Sequence, residues 1–205
     1  AHLVILGAGV LGRSAARTAL GMGAQVTMLD LSVERLRRAA VEVGGPFPTM
    51  LSSRPNLEKA LGFADLVLGA VAVHGQRAPL LVTREMLRLM RPRSVVLDLS
   101  IDMGGCFETS RPTAFPSPTY EVDGIVHFCV PNLPAAAARS STLALTNAVL
   151  PYLLEVADKG FEAAIRALGD LRRGVYLHDG GCARESLARA FGLPLAQWPP
   201  DGAPS

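Results

Sequence analysis

The chain has 205 residues, 49% of them hydrophobic and 19% charged, with 20 Lys+Arg against 18 Asp+Glu and a mean hydropathy of +0.29. So much apolar content at a formal net charge of +2 excludes a disordered chain. The near-balanced charge, with no basic run longer than two residues, excludes electrostatic nucleic-acid binding as the main activity.

Short apolar runs alternate with helical patterns, which predicts βα units and a parallel sheet buried on both faces. Leu3 to Leu6 is the first expected strand, and a helix follows over Val10 to Gly21. Gln25 to Leu29 is the second strand and ends at Asp30; Ser32 is the expected cap of the next helix. A short strand over 49–51, a helix over 56–63 and a buried strand over 65–71 come next. Thr83 caps a helix through Met90, Pro92 and Arg93 turn the chain, and Ser94 to Leu99 is the fifth strand. From Asp102 to Tyr120 glycines and prolines predict a long loop, of a length that is uncommon without a function. Ile125 to Val130 is a sixth strand, Ser140 to Lys159 a helix ended by Gly160, and Arg184 to Phe191 a weaker helical pattern before a Pro-rich tail expected to fray.

Gly7-Ala8-Gly9-Val10-Leu11-Gly12 is a GxGxxG that follows a strand, opens a helix and precedes an acid, Asp30, 18 residues beyond Gly12. Gly7 suits the tight turn, Gly9 lets backbone approach a pyrophosphate, and Gly12 lets helix and strand pack closely. Unpaired amides at the helix start, among them those of Val10 and Leu11, favour phosphate. Asp30 would accept the ribose hydroxyls and repel a 2′-phosphate, so the cofactor expected is NAD. Arg35 pulls slightly toward NADP, but hydrogen bonds to a charged group, worth about 1.5–3 kcal/mol each, favour Asp30. The bland alternative is a strand–helix turn with Asp30 as a cap.

Two further segments are more specific. Ser94-Val-Val-Leu-Asp-Leu-Ser-Ile-Asp-Met-Gly-Gly-Cys-Phe-Glu-Thr-Ser-Arg-Pro112 closely resembles the D-x-x-I-D-Q-G-G-C-x-E-T-S-R-P-T segment of L-alanine dehydrogenases. His127-Phe-Cys-Val-Pro-Asn-Leu-Pro134 and Ser140 to Tyr152 resemble that family's H-Y-C-V-A-N-M-P and T-S-T-x-A-L-T-N-A-T-L-P-Y blocks, and the likeness fades after Lys159. The resemblance implies NAD-dependent oxidative deamination of L-alanine to pyruvate and ammonia. It maps Asp102 to an aspartate near the reacting centre, where a carboxylate stabilises an iminium charge or helps move a proton. It maps Asn132 and Leu133, with Val130 before them, to the loop along the cofactor, Ala70 and Val71 to a strand end bordering the nucleotide, Leu99 to the strand end before Asp102, and Asp30 to the ribose acid. Arg35 stands where many relatives have Lys. Met103, Pro131 and His74 depart from the family pattern.

The fold this implies is α/β: a Rossmann-type, doubly wound parallel sheet over residues 1–138, with a C-terminal helical segment, 139–205, belonging to a second, incomplete domain. Relatives carry a preceding substrate domain with a catalytic His, Lys and Arg that has no counterpart here, and the chain lacks an initiator Met. It is therefore expected to be the NAD-binding part of a longer enzyme, homo-oligomeric in full-length form, cytoplasmic, and free of nucleic-acid or membrane partners. The competing readings are a catalytically inert dinucleotide-binding module and the corresponding domain of a nicotinamide nucleotide transhydrogenase. The stretch Ile101 to Arg111 argues against the transhydrogenase.

No metal site is expected, because Cys106, Cys129 and Cys182 have no CxxC spacing. The longest charge-free apolar stretch, between Arg139 and Glu155, falls short of the ~20 residues a membrane span needs. His127 is read as a structural histidine in an alternating strand and Cys106 as a packing thiol. Glu108 and Arg111 are read as a mutual pair. His74 is a loop residue near the nucleotide edge, and Leu143, Leu150, Leu153 and Leu154 are core or interdomain surface.

Overall fold

The computed structural model describes residues 1–73 and 76–196. It divides into two compact units, Ala1–Asn132 and a second that begins at Leu133. In the first unit β1 (His2–Leu6), α1 (Val10–Gly21), β2 (Gln25–Asp30), α2 (Val33–Glu42), β3 (Thr49–Leu51), α3 (Arg54–Phe63), β4 (Leu66–Gly69), α4 (Arg84–Leu87), β5 (Val95–Asp98), β6 (Thr119–Val122) and β7 (Ile125–Phe128) follow in order.

The strands form one seven-stranded sheet in the order β3-β2-β1-β4-β5-β7-β6. All neighbours pair parallel except β6 with β7. The chain moves outward from β1 in both directions, so β1 and β4 flank the topological switch point, where α/β sheets hold ligands outside the strand ends.

Alternation within β1 explains why its sequence is apolar from Leu3 to Leu6. Val4 and Leu6 pack with Leu57 and Leu61 of α3 and Met86 and Leu87 of α4. Leu3 and Ile5 pack on the other face with Ala16 of α1 and Leu36 and Ala39 of α2. A strand covered on both sides has no solvent face to mark with polar residues.

Several elements differ from expectation. The loop ends at Pro118 because β6 begins at Thr119, antiparallel to β7 and joined to it by Asp123-Gly124, both with positive φ (51° and 80°). That is an Asp-Gly hairpin turn on an edge strand, which prolines immediately upstream conceal. Helix α4 spans one turn, and 88–90 continue as hydrogen-bonded turns, Met90 N–H donating to Leu87 at 3.0 Å. Ser32 caps α2 through the Arg35 backbone N–H at 3.2 Å, as its position predicts.

In the second unit a 3-10 turn over Leu133–Ala137 leads into α5 (Ala138–Lys159), two residues ahead of the expected start. Then come α6 (Phe161–Ala167), α7 (Gly169–Arg173), the two-residue strands β8 (Leu177–His178) and β9 (Gly181–Cys182), and α8 (Glu185–Phe191). The elements between Phe161 and Cys182 carry no clear periodicity in the sequence. No residue of α5 is buried, and Leu143, Leu150, Leu153 and Leu154 are exposed. Among the described residues no helix is long and apolar enough to cross a membrane. The end of the Pro-rich tail, from residue 197, lies outside the described residues, as does His74.

Candidate functional site

The residues singled out from the sequence in the first unit stand largely along one edge, at the C-terminal ends of the parallel strands. After β1 the chain turns at Gly7, whose φ of 111° is left-handed territory that favours glycine. A Cβ there would lie 2.4 Å from the Ala70 carbonyl oxygen, and one on Gly12 would lie 1.9 Å from the carbonyl oxygen of Gly7. The turn is therefore closed against both β4 and its own helix. A Cβ on Gly9 would meet nothing within 4 Å, so that side of the loop is open.

Gly9 is the residue that caps α1, and no side chain completes the cap. The first-turn amides of a helix lack partners within it, and Val10 is 75% exposed with Leu11 partly so. Arg13 secures the loop from behind: its Nη1 donates to the Ala8 carbonyl at 2.8 Å and its Nε pairs with Glu42 at 2.9 Å.

Asp30 closes the other side. It is only 8% exposed, and each carboxylate oxygen already accepts a backbone amide: Oδ2 from Ala8 and Oδ1 from Ser32, both at 2.8 Å. A carboxylate offers about four lone-pair sites, so it keeps acceptor capacity while its orientation is set by the turn it holds. The Arg35 side chain is exposed on α2 and reaches this site only through its backbone at the Ser32 cap.

At the switch point the Val71 N–H donates to Ser100 Oγ at 3.1 Å, and the Leu99 N–H to the Gly69 carbonyl at 2.9 Å, so the ends of β4 and β5 are tied together. Asp102 sits in a 3-10 turn over Ile101–Met103, exposed, and its Oδ1 accepts the Asn132 N–H at 3.0 Å. Asn132 has φ 51°, a conformation asparagine tolerates. Val130 is buried. Leu133 begins the second unit.

The sequence reading missed the residue that organises this side, Asp98. It is fully buried at the end of β5. Its Oδ1 accepts the Ser100 N–H at 3.0 Å, and its Oδ2 accepts the Cys106 N–H at 2.8 Å and the Ser110 hydroxyl at 2.6 Å. The available signal was a carboxylate terminating an otherwise apolar run, inside the very segment used for the resemblance.

Burial, reinforced by the Asp98 charge, pushes the Cys106 thiol far up, so it stays protonated and is no nucleophile. His127 is fully buried: its Nδ1–H donates to the Ile125 carbonyl at 3.0 Å and its Nε2 accepts from the Thr109 hydroxyl at 2.8 Å. Burial lowers its pKa, so it is a neutral structural imidazole. Glu108 and Arg111 have separate partners instead of each other. Glu108 accepts the Arg84 N–H at 2.6 Å, and Arg111 lies over the Tyr120 ring, 4.0 Å from its centroid. Among the described residues no cluster of His, Cys, Asp or Glu is arranged to hold a metal.

The family model described as "Alanine dehydrogenase/PNT, C-terminal domain" matches residues 1–185. The alanine dehydrogenase of Halomonas elongata is 49% identical over 193 residues, covering 94% of this chain and 52% of that protein. A solved L-alanine dehydrogenase superposes with TM-score 0.82 at 40% identity, over 93% of this chain and 53% of the other. A transhydrogenase from Sinorhizobium meliloti follows with TM-score 0.66 at 29% identity, over 75% and 43%. The chain thus spans about half the length of the curated relatives it matches.

Proposed function

Since the chain belongs to the alanine dehydrogenase/PNT C-terminal-domain family, we propose that it is the NAD-binding part of an enzyme that oxidatively deaminates L-alanine to pyruvate and ammonia. The observation that carries this is the Gly7–Gly12 turn, closed against Ala70 and open at Gly9, with Asp30 held beside it at the end of β2.

These residues fit a dinucleotide. The first-turn amides of α1, including those of Val10, Leu11 and Gly12, hold the pyrophosphate. Asp30 accepts ribose hydroxyls through its remaining lone pairs and repels a 2′-phosphate, which selects NAD over NADP. Ala70, Val71 and Leu99, with the Val130 backbone, Asn132 and Leu133, border the rest of the cofactor, and the exposed Arg35 stays peripheral. NAD, when bound, supplies the hydride acceptor. Asp102 is the catalytic group on this chain. Its Oδ1 is oriented by the Asn132 amide, leaving Oδ2 to face positive charge developing on the substrate nitrogen or to relay a proton. The protein is assigned to the cytoplasm, and the full-length enzyme to a homo-oligomer.

Calorimetric titration of the chain with NAD and NADP tests this. NAD is expected to bind and NADP to bind at least about tenfold more weakly, the equivalent of one charge-assisted hydrogen bond. Tighter NADP binding would overturn the Asp30 assignment, and binding of neither would overturn the reading. The chain alone is expected to produce no alanine-dependent NADH.

A further inference from the structure

We propose that Asp98 is a positioning residue for Asp102: its buried carboxylate is the template on which the loop from Leu99 to Ser110 folds, and it decides where the Asp102 carboxylate stands. The proposal deepens the reading of Asp102 given above and rests on it.

Among the described residues Asp98 makes no ion pair, and the groups within hydrogen-bond reach of its carboxylate are donors. They come from both sides of Asp102 in the chain. Ser100 N–H lies before it, and the Cys106 N–H, the Ser110 hydroxyl and, at longer range, the Phe107 N–H (3.4 Å) and Cys106 thiol (3.6 Å) lie after it. A buried carboxylate is tolerated only when such bonds replace its hydration. The loop therefore has to wrap the anion, and wrapping it fixes both ends of the segment that carries Asp102.

Between those ends the path is short and internally bonded. Met103 and Gly105 amides donate to the Ser100 carbonyl at 2.9 and 3.0 Å, and Gly104 donates to the Ile101 carbonyl at 2.9 Å. The space is full as well. A Cβ on Gly105 would stand 2.7 Å from Asp98 Oδ2, and one on Gly69 would stand 3.1 Å from Oδ1. The carboxylate can be neither shifted nor lengthened without moving the loop. Asn in its place puts an NH2 donor against the backbone N–H of Ser100, or against those of Cys106 and Phe107, which cannot accept.

Asp102 reports its own position through the Asn132 amide, 30 residues away in sequence. Proton NMR of the 205-residue chain can follow that amide in Asp98→Asn, Ser110→Ala, Asp102→Asn and the Asp98→Asn/Asp102→Asn double variant. In Asp98→Asn and Ser110→Ala the Asn132 amide proton is expected to move upfield toward its Asp102→Asn position. The double variant is expected to match Asp102→Asn alone, and the amides of Leu6 and Leu29 to hold their shifts. An unmoved Asn132 amide in a folded Asp98→Asn chain, or additive shifts in the double variant, would overturn the proposal and leave Asp98 a purely structural residue. If Asp98→Asn does not fold, Ser110→Ala, which keeps the carboxylate and removes one donor, decides by the same two outcomes. None of these readouts uses a dinucleotide. Failure of the wild-type chain to bind NAD would therefore remove the functional reading while the Asp98–Asp102 coupling stood or fell by the amide shift.

Discussion

Strands β2 and β5 both end in aspartate, and both aspartates accept backbone amides, yet the two carboxylates are satisfied to different extents. Asp30 holds one amide on each oxygen and stays 8% exposed; Asp98 is fully buried and ringed by five donors. At the first the protein supplies part of the bonding and leaves capacity for a ligand. At the second it supplies all of it, and the gain is a loop of defined shape. How many donors the chain brings to a strand-end acid in an α/β sheet thus decides whether its carboxylate keeps acceptor capacity or is filled by the protein itself.

Asp98→Ala should be the most damaging change, because it strands the Ser100 and Cys106 amides and the Ser110 hydroxyl in a buried site. With about 1–3 kcal/mol for each unsatisfied group, a loss on the order of 4 kcal/mol is expected in urea unfolding. Gly12→Ala comes next: its Cβ, 1.9 Å from the Gly7 carbonyl, forces α1 off the sheet at a cost of about 3 kcal/mol, overpacking at its upper range. Asp30→Ser should invert the pattern. Stability falls by only about 1 kcal/mol, since a shorter acceptor remains, while NAD affinity falls roughly tenfold or more. A stability loss at Asp30 equal to that at Asp98 would erase the distinction.

A smaller effect is read through pH. Burial lowers the pKa of His127 below its ordinary 6.5, so the unfolded chain takes up a proton more readily than the folded one. Its contribution is present above pH 6.5 and is lost as pH falls below that value. His2, also lowered chiefly by burial, acts in the same direction. His127→Gln should flatten the fall in unfolding midpoint between pH 7.5 and 5.5; an unchanged slope would remove His127 from the balance. Smallest in stability is Gly9→Ala. Its Cβ meets no protein atom, so the unfolding midpoint should barely move while dinucleotide binding weakens.

Much of the first half was legible because its signals are local. The Gly7 turn, the Ser32 cap and the two-sided apolar strands are all set by residues within a few positions of one another. The β6 edge strand was not legible, since its four residues alternate only weakly and gain their meaning from pairing with β7. The two short helices and the small hairpin after Lys159 escaped for a related reason: elements of two to seven residues carry too few turns to show a period.

By itself, then, the sequence determined the βαβ start, the glycine turn after β1 with Asp30 at the end of β2, and through its motifs the family. Tertiary structure alone decided that Asp98 is buried, that donors from residues 100 to 110 converge on it, and that Asp102 meets the amide of Asn132. Those facts depend on strands β4, β5 and β7 lying side by side, and on solvent being excluded between them. A linear pattern marks a carboxylate; only packing says whether water, a ligand or the chain itself will satisfy it.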